Sequence, residues 1–312
     1  MAHPQPREAP MTGTLTEVRR YPVKSLEGEL LPGCDLTGRG LDGDRWWSVR
    51  DPDGRFGSGK SSRRFRRMDG LRDLVARYDG EVPVIGFPDG TEVRGDDPGM
   101  HEALSTHVGR PVRLEAEEEV SHFEDGPVHL VTTASLAALA RAHDADVDAR
   151  RMRCNMLVDT PDLDGFAEDE WLGREVRVGP EVVLRVVIPM PRCVMVTAAT
   201  RDLGGDADLL KTITRVNDGS LGVLAEVVAA GTVLVGDRVE LLRWPVPSPW
   251  LASYADAATR LPIPPSPLPS RTAHGRTGGS GSIRVQNEGA GLNAPVLALD
   301  HLSPARQPVV RR

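Results

Sequence analysis

Residues 232–242, TVLVGDRVELL, decide the fold. Thr232 to Val235 and Arg238 to Leu242 read as two strands, and Gly236-Asp237 between them as a tight turn. Such an ending suits a sheet that closes into a barrel. The same grammar runs upstream. Val182 to Ile188 and Glu175 to Val178 are strands around Gly179-Pro180, and Met156-Leu157-Val158 is a short apolar strand. His129-Leu130-Val131 is strand-like and leads through Thr133-Ala134-Ser135 into LAALARAH, an amphipathic helix capped by Thr133 or Ser135.

The N-terminal part is built from shorter pieces. Leu15 to Val18 and Trp46 to Val49 read as strands among glycine-marked turns. Val82 to Phe87 and Thr91 to Val93 flank Pro88-Asp89-Gly90 as a hairpin, and Pro83 predicts that its strand lies at a sheet edge or begins there. Asp97 to His107 resembles a short helix, and the acidic stretch 115–126 reads as a surface connection. The fold class is therefore mostly β with a few helices, an α+β chain. We divide it into a flexible leader (1–11), an N-terminal barrel-like domain (12–120), a second domain (121–245) and a Pro/Gly-rich, largely disordered tail (246–312).

Composition narrows the function classes. A net charge of -7 over 312 residues argues against nucleic acid or an anionic membrane as the general partner, while leaving room for a local basic pocket. Three widely spaced cysteines make no disulfide framework, and the chain has neither a CxxC pair nor an HExxH helix. The first residues lack the apolar segment of a signal peptide, and Arg185, Pro189 and Pro191 cut the longest apolar runs. Cytoplasm is the expected compartment.

Four segments carry candidate chemistry: YPVKS (21–25), GLDGDRW (40–46), RCN (153–155) with FAEDEW (166–171), and PRC (191–193). Cys193 follows two prolines expected to break strand pairing, and Arg192 beside it favours thiolate, the nucleophile and soft metal ligand. An inert buried thiol is the plainer alternative. Lys24, Arg45, Arg153 and Arg192 can converge on one anion or be separate surface cations. Asn155 can read a heterocycle edge or shape a turn. Thr133 and Ser135, at a helix start, can bind phosphate or simply cap. Glu168, Asp169 and Glu170 can position a base but read better as a solvated turn that anchors Trp171, and KSSRRFRR (60–67) can bind an anion or an acidic partner but reads better as a solvated face or mobile loop.

In order and spacing these segments resemble the MOSC superfamily with its N-terminal β-barrel partner domain, over roughly residues 12–244. That superfamily includes the C-terminal domain of molybdenum cofactor sulfurase and the mitochondrial amidoxime-reducing component. The resemblance implies a MOSC β-barrel preceded by a smaller barrel-like domain. It implies molybdenum cofactor (a Mo-pyranopterin), with Cys193 as catalytic metal ligand. Lys24, Ser25, Arg45, Thr133, Ser135, Arg153, Asn155 and Arg192 would contact the cofactor, in a cleft between the two domains. Two departures stand out: Cys154 replaces a proline between the arginine and asparagine, and GSGKSSRRFRR replaces a Thr-x-Arg pattern. Pyridoxal phosphate is not expected, because no aminotransferase-like domain is present. The resulting expectation is an oxidoreductase that reduces N-hydroxylated or N-oxide small molecules, with electrons from a separate flavin or iron–sulfur protein. A sulfur carrier using a Cys193 persulfide and a non-catalytic interaction protein are the alternatives.

Overall fold

The first described strand, β1 (Thr12–Arg20), buries Leu15 and Val18, which are three positions apart and so would face opposite sides of a regular strand. A register shift between Leu15 and Glu17 adds a residue at that point and brings both inside. The computed structural model describes residues 12–242, all within one compact unit; the leader and the Pro/Gly-rich tail lie outside the described residues.

β1 is one of seven strands that close into a barrel. The others are β2 (Val128–Thr132), β3 (Met156–Asp159), β4 (Glu175–Val178), β5 (Val182–Pro191), β6 (Ser220–Ala229) and β7 (Arg238–Leu241). Around the barrel the order is β3-β2-β6-β5-β4-β7-β1, and β1 pairs back onto β3 to complete the ring. Period-two runs fill the interior: Val176 and Val178, Val182, Leu184 and Val186, Val223 and Ala225, Val239 and Leu241. The first described strand is thus a stave among strands that otherwise start at residue 128.

Three α-helices are present among the described residues: α1 (Met100–Val108), α2 (Thr133–His143) and α3 (Leu209–Asn217). β2 and β3 form the parallel pair of the ring, and the crossover between them carries α2. β2 is buried along its whole length because α2 and α3 cover its outer face, where Val131, Leu139, Leu157 and Ile213 form a second core. No helix among the described residues is long and apolar enough to cross a membrane.

The smaller half packs a mixed sheet, a three-stranded sheet and α1 around Val23, Leu26, Val49, Leu71, Ile85, Met100 and Leu104. The hairpin forms as the sequence predicts, but the strand Val82–Gly86 is central, between Val75–Asp79 and Glu92–Arg94. Pro83 is tolerated there for a local reason. Its carbonyl accepts from Gly95 at 2.7 Å, just past the end of the partner strand, so its missing N–H faces a side where the ladder has already stopped.

Candidate functional site

The site is organised by the end of β5. Both prolines expected to break pairing lie inside that strand, which absorbs them with register shifts between Val186 and Ile188 and between Pro189 and Pro191. Arg192 then donates its backbone N–H to Gly219 at 2.8 Å, and Cys193 begins a single 3-10 turn, Val194–Thr197, by accepting from Val196 at 3.1 Å. Cys193 is half-buried, whereas Cys34 and Cys154 are buried. Burial pushes the Cys154 thiol up to about 12, so it stays protonated and unreactive at neutral pH.

Cations gather around this strand end. The buried ring of Tyr21 lies 4.8 Å from the Arg45 guanidinium and 4.3 Å from that of Arg153. Its hydroxyl donates to the Cys154 carbonyl at 3.3 Å, and burial raises its pKa, so the phenol is neutral. Arg192 donates to the Met152 carbonyl at 2.8 Å, but its Nε and Nη1 are buried without a hydrogen-bond partner. Burial lowers Arg192 to about 10; the Cys193 thiol opposes that shift and the Arg153 guanidinium adds to it, and the side chain is still charged at neutral pH. Arg72 and Arg153 share one carboxylate oxygen of Glu27, at 3.3 and 3.4 Å.

The backbone marks the same residues. Ser25, Arg45 and Arg153 have φ of 71°, 55° and 52°, a left-handed conformation that side chains other than glycine rarely adopt. Arg153, like Asp144 and Asp218, is a helix C-cap, where that geometry is ordinary. Ser25 and Arg45 close no helix, and backbone strain of that kind clusters at functional sites.

Lys24 occupies the other wall. Its Nζ donates to the His122 carbonyl at 2.8 Å and to Glu124 at 3.3 Å, and burial lowers its pKa to about 8. Glu124 also takes Lys60 at 2.6 Å. The acidic stretch is therefore a strap tied down at Glu124, and its own His122 is fully buried and bonded to the Arg45 carbonyl at 2.9 Å. Burial holds His122 down at about 4, so the ring is neutral. Lys60 belongs to the run read as a solvated face; its loop packs on the Cys193 turn, where a side chain added at Gly59 would meet the Met195 sulfur.

The structure thus brings Arg45 and Arg153 together on the Tyr21 ring and Arg192 within electrostatic reach of Arg153 and Cys193, with Lys24 linked to Arg45 through His122. Ser25 is at the cleft, but its hydroxyl is committed to the Gly57 carbonyl at 2.8 Å. Asn155 is a pin behind it: its amide oxygen accepts from the His129 N–H at 3.1 Å and its amide nitrogen donates to the Arg19 carbonyl at 3.2 Å. Thr133 and Ser135 are not brought in. They lie at the opposite end of β2 from Asn155; Thr133 donates to Asp159 at 2.9 Å, and Ser135 donates to Glu168. Glu168 is itself fully buried, not a solvated turn residue, because Thr132 and Ser135 supply hydroxyl donors that replace water. Sequence reasoning missed Glu27, Arg72, Tyr21 and Lys60 as site members. Two of these stand within or beside YPVKS, and Lys60 opens the basic run, but nothing in the sequence around Arg72 signals its position. Among the described residues no group of three or more His, Cys, Asp or Glu side chains converges, so a metal here would take its remaining ligands from a bound group.

Residues 12–74 match the family model described as the MOSC N-terminal beta barrel domain, and residues 105–240 match the MOSC domain. Together these span more than half of the chain. The chain belongs to the MOSC family. Relatives of this MOSC protein include mitochondrial amidoxime reducing component 2 of Rattus norvegicus, 25% identical over 61% of this chain and 68% of the relative. The molybdenum cofactor sulfurase of Drosophila grimshawi is 25% identical over 70% of this chain and 32% of the sulfurase. Among solved structures, the YUAD protein from Bacillus subtilis aligns over 75% of this chain and 97% of its own, with 14% identity and a TM-score of 0.41.

Proposed function

We propose that this MOSC protein binds molybdenum cofactor with Cys193 as the metal ligand and works as an oxidoreductase on N-hydroxylated or N-oxide small molecules. The observation that carries this reading is the juxtaposition of a half-buried thiol with a guanidinium whose Nε and Nη1 are buried and unpartnered. Such donors cost free energy unless an acceptor arrives, and an anionic, metal-bearing ligand supplies both the acceptor and a partner for the thiolate. The residues fit the group. Arg192, Arg153 and Arg45 would hold its anionic part, Tyr21 backs two of those guanidiniums, and Cys193 offers a soft sulfur donor. When bound, the cofactor supplies the redox chemistry for removing an oxygen atom from substrate. The chain's own part is binding and orientation. Lys24 and Lys60, both paired with Glu124, hold the strap in place. Electrons would come from a separate flavin or iron–sulfur protein.

The test is molybdenum per chain, on protein from a host that makes the cofactor, for wild type and Cys193→Ala, followed by turnover of an N-hydroxylated compound with an artificial electron donor. Near-stoichiometric metal that is lost in the variant is expected. Metal in both samples would show that Cys193 is not the ligand, and metal in neither would exclude the reading. The sulfurase relative makes sulfur transfer the second reading; a stable extra sulfur on Cys193 in metal-free protein, seen by mass spectrometry, would favour it.

A further inference from the structure

The loop that begins at Cys193 makes its own backbone hydrogen bonds locally. Val196 bonds to Cys193, Ala198 to Met195, Thr200 to Leu203 and Asp206 to Thr197. Its anchorage is instead by side chains from elsewhere. Arg151 donates to the carbonyls of Val196 at 3.3 Å, Ala198 at 3.4 Å and Gly204. Arg72 donates Nη1 to the carbonyl of Met195, two residues from Cys193. Of these two, Arg72 is the one from the N-terminal half, carried on the short 3-10 turn Leu71–Asp73, and its side chain is only 8% exposed. Its other terminal nitrogen is held by Glu27 at 3.3 Å. Glu27 is fixed in turn by backbone bonds to Leu74 and Ala76, at 2.9 and 2.8 Å, and the same carboxylate oxygen takes Arg153.

We propose that Arg72, with Glu27 as its counter-charge, is a positioning residue that aims Cys193 into the cationic cleft. The proposal rests on the reading of Cys193 as the metal ligand. The logic is geometric: a buried guanidinium with two different acceptors has one orientation, and that orientation fixes the Met195 carbonyl and so the start of the turn. Glu27 touches neither Cys193 nor its turn; it reaches the turn through Arg72.

The experiment uses the full chain with Arg72→Met, Arg72→Lys, Glu27→Gln and the Arg72→Met, Glu27→Gln double variant. In cofactor-free protein, hydrogen exchange is followed over residues 193–198 and over the remote strand 82–86. Arg72→Met is expected to speed exchange of the first segment by about tenfold and leave the second unchanged. In cofactor-loaded protein, molybdenum per chain is expected to stay within about twofold of wild type, since the other arginines remain. X-ray absorption at the metal should then show the Cys193 sulfur lost from its neighbours. Arg72→Lys should fall between, because one ammonium cannot serve both acceptors in a fixed plane. Glu27→Gln should move the same readouts in the same direction, and the double variant should add nothing to Arg72→Met. Unchanged exchange over 193–198 in Arg72→Met would overturn the proposal. So would additive effects, or a loss of stability that spreads to 82–86. Wild type without molybdenum would defeat the reading of Cys193 as ligand, while the exchange data would still decide whether Arg72 holds the turn.

Discussion

Glu124 sits between two ammonium groups, Lys24 and Lys60. Burial alone would raise its pKa, but the two lysines prevail and hold it near 2, below the ordinary 4.5. A carboxylate lowered in this way stabilises the fold fully above the pKa it has when unfolded. That contribution fades as pH falls from about 4.5 to about 2. Glu124→Gln should therefore be less stable than wild type at neutral pH, and the gap should close across that acidic window. Urea midpoints measured from pH 7 to pH 2 check this; a gap independent of pH would show that the strap is not held by charge. At this scale the sequence was partly legible. Cys193, Arg45, Arg153 and Arg192 stand in short motifs whose residue types declare their chemistry. Glu27 and Arg72 do not: they meet across 45 positions, and Arg72 reaches Met195 across 123, so their roles exist only once the chain is folded. Thr133 and Ser135 show the reverse case, in which a motif-like helix start faces Asp159 and Glu168 instead of the cleft.

Among the elements, β6 shows how closely the barrel wall approaches the site. Gly222 has φ of 78°, and a side-chain carbon there would come within 2.5 Å of His129 Nε2 and 2.6 Å of the Leu130 carbonyl. Neither neighbour can withdraw, because one is a buried ring on β2 and the other is backbone. Gly222→Ala should cost about 2–4 kcal/mol of stability, combining backbone strain with overpacking. A fall in the urea midpoint with an unchanged slope would register it; wild-type stability would mean that β2 and β6 can separate cheaply. Elements with a clear period were legible: the hairpin, α2, and the strands with alternating valines. Three readings failed because tertiary context overrode a local rule. β5 runs through two prolines on bulges, Pro83 sits in a central strand where its partner has ended, and the acidic turn at Glu168 is buried by donors supplied from the start of α2. A proline or a carboxylate in sequence shows what it lacks or needs, but not what a distant strand end will provide.

Across the whole molecule, a closing barrel was legible from the strand-rich sequence and its C-terminal strands, whereas the strand that completes the ring was not. Nothing in residues 12–20 shows that Thr14 pairs with Asp159 and Thr12 with Glu240. A fragment beginning at residue 121 lacks β1 and leaves β3 and β7 with open edges. It should show no cooperative thermal transition, and a sharp one by calorimetry would mean that six strands suffice. The same placement governs how the chain is made. β1 leaves the ribosome ahead of the other barrel strands, yet its partner in β7 emerges more than two hundred residues later. At synthesis rates of about 5–20 residues per second, β1 waits roughly ten to forty seconds for β7, with Glu29–Leu31 and then β3 as its earlier partners. During that interval the edge that β7 will cover is open to any neighbouring chain, so the yield of folded protein should depend on translation speed and on chaperones that occupy the tunnel exit.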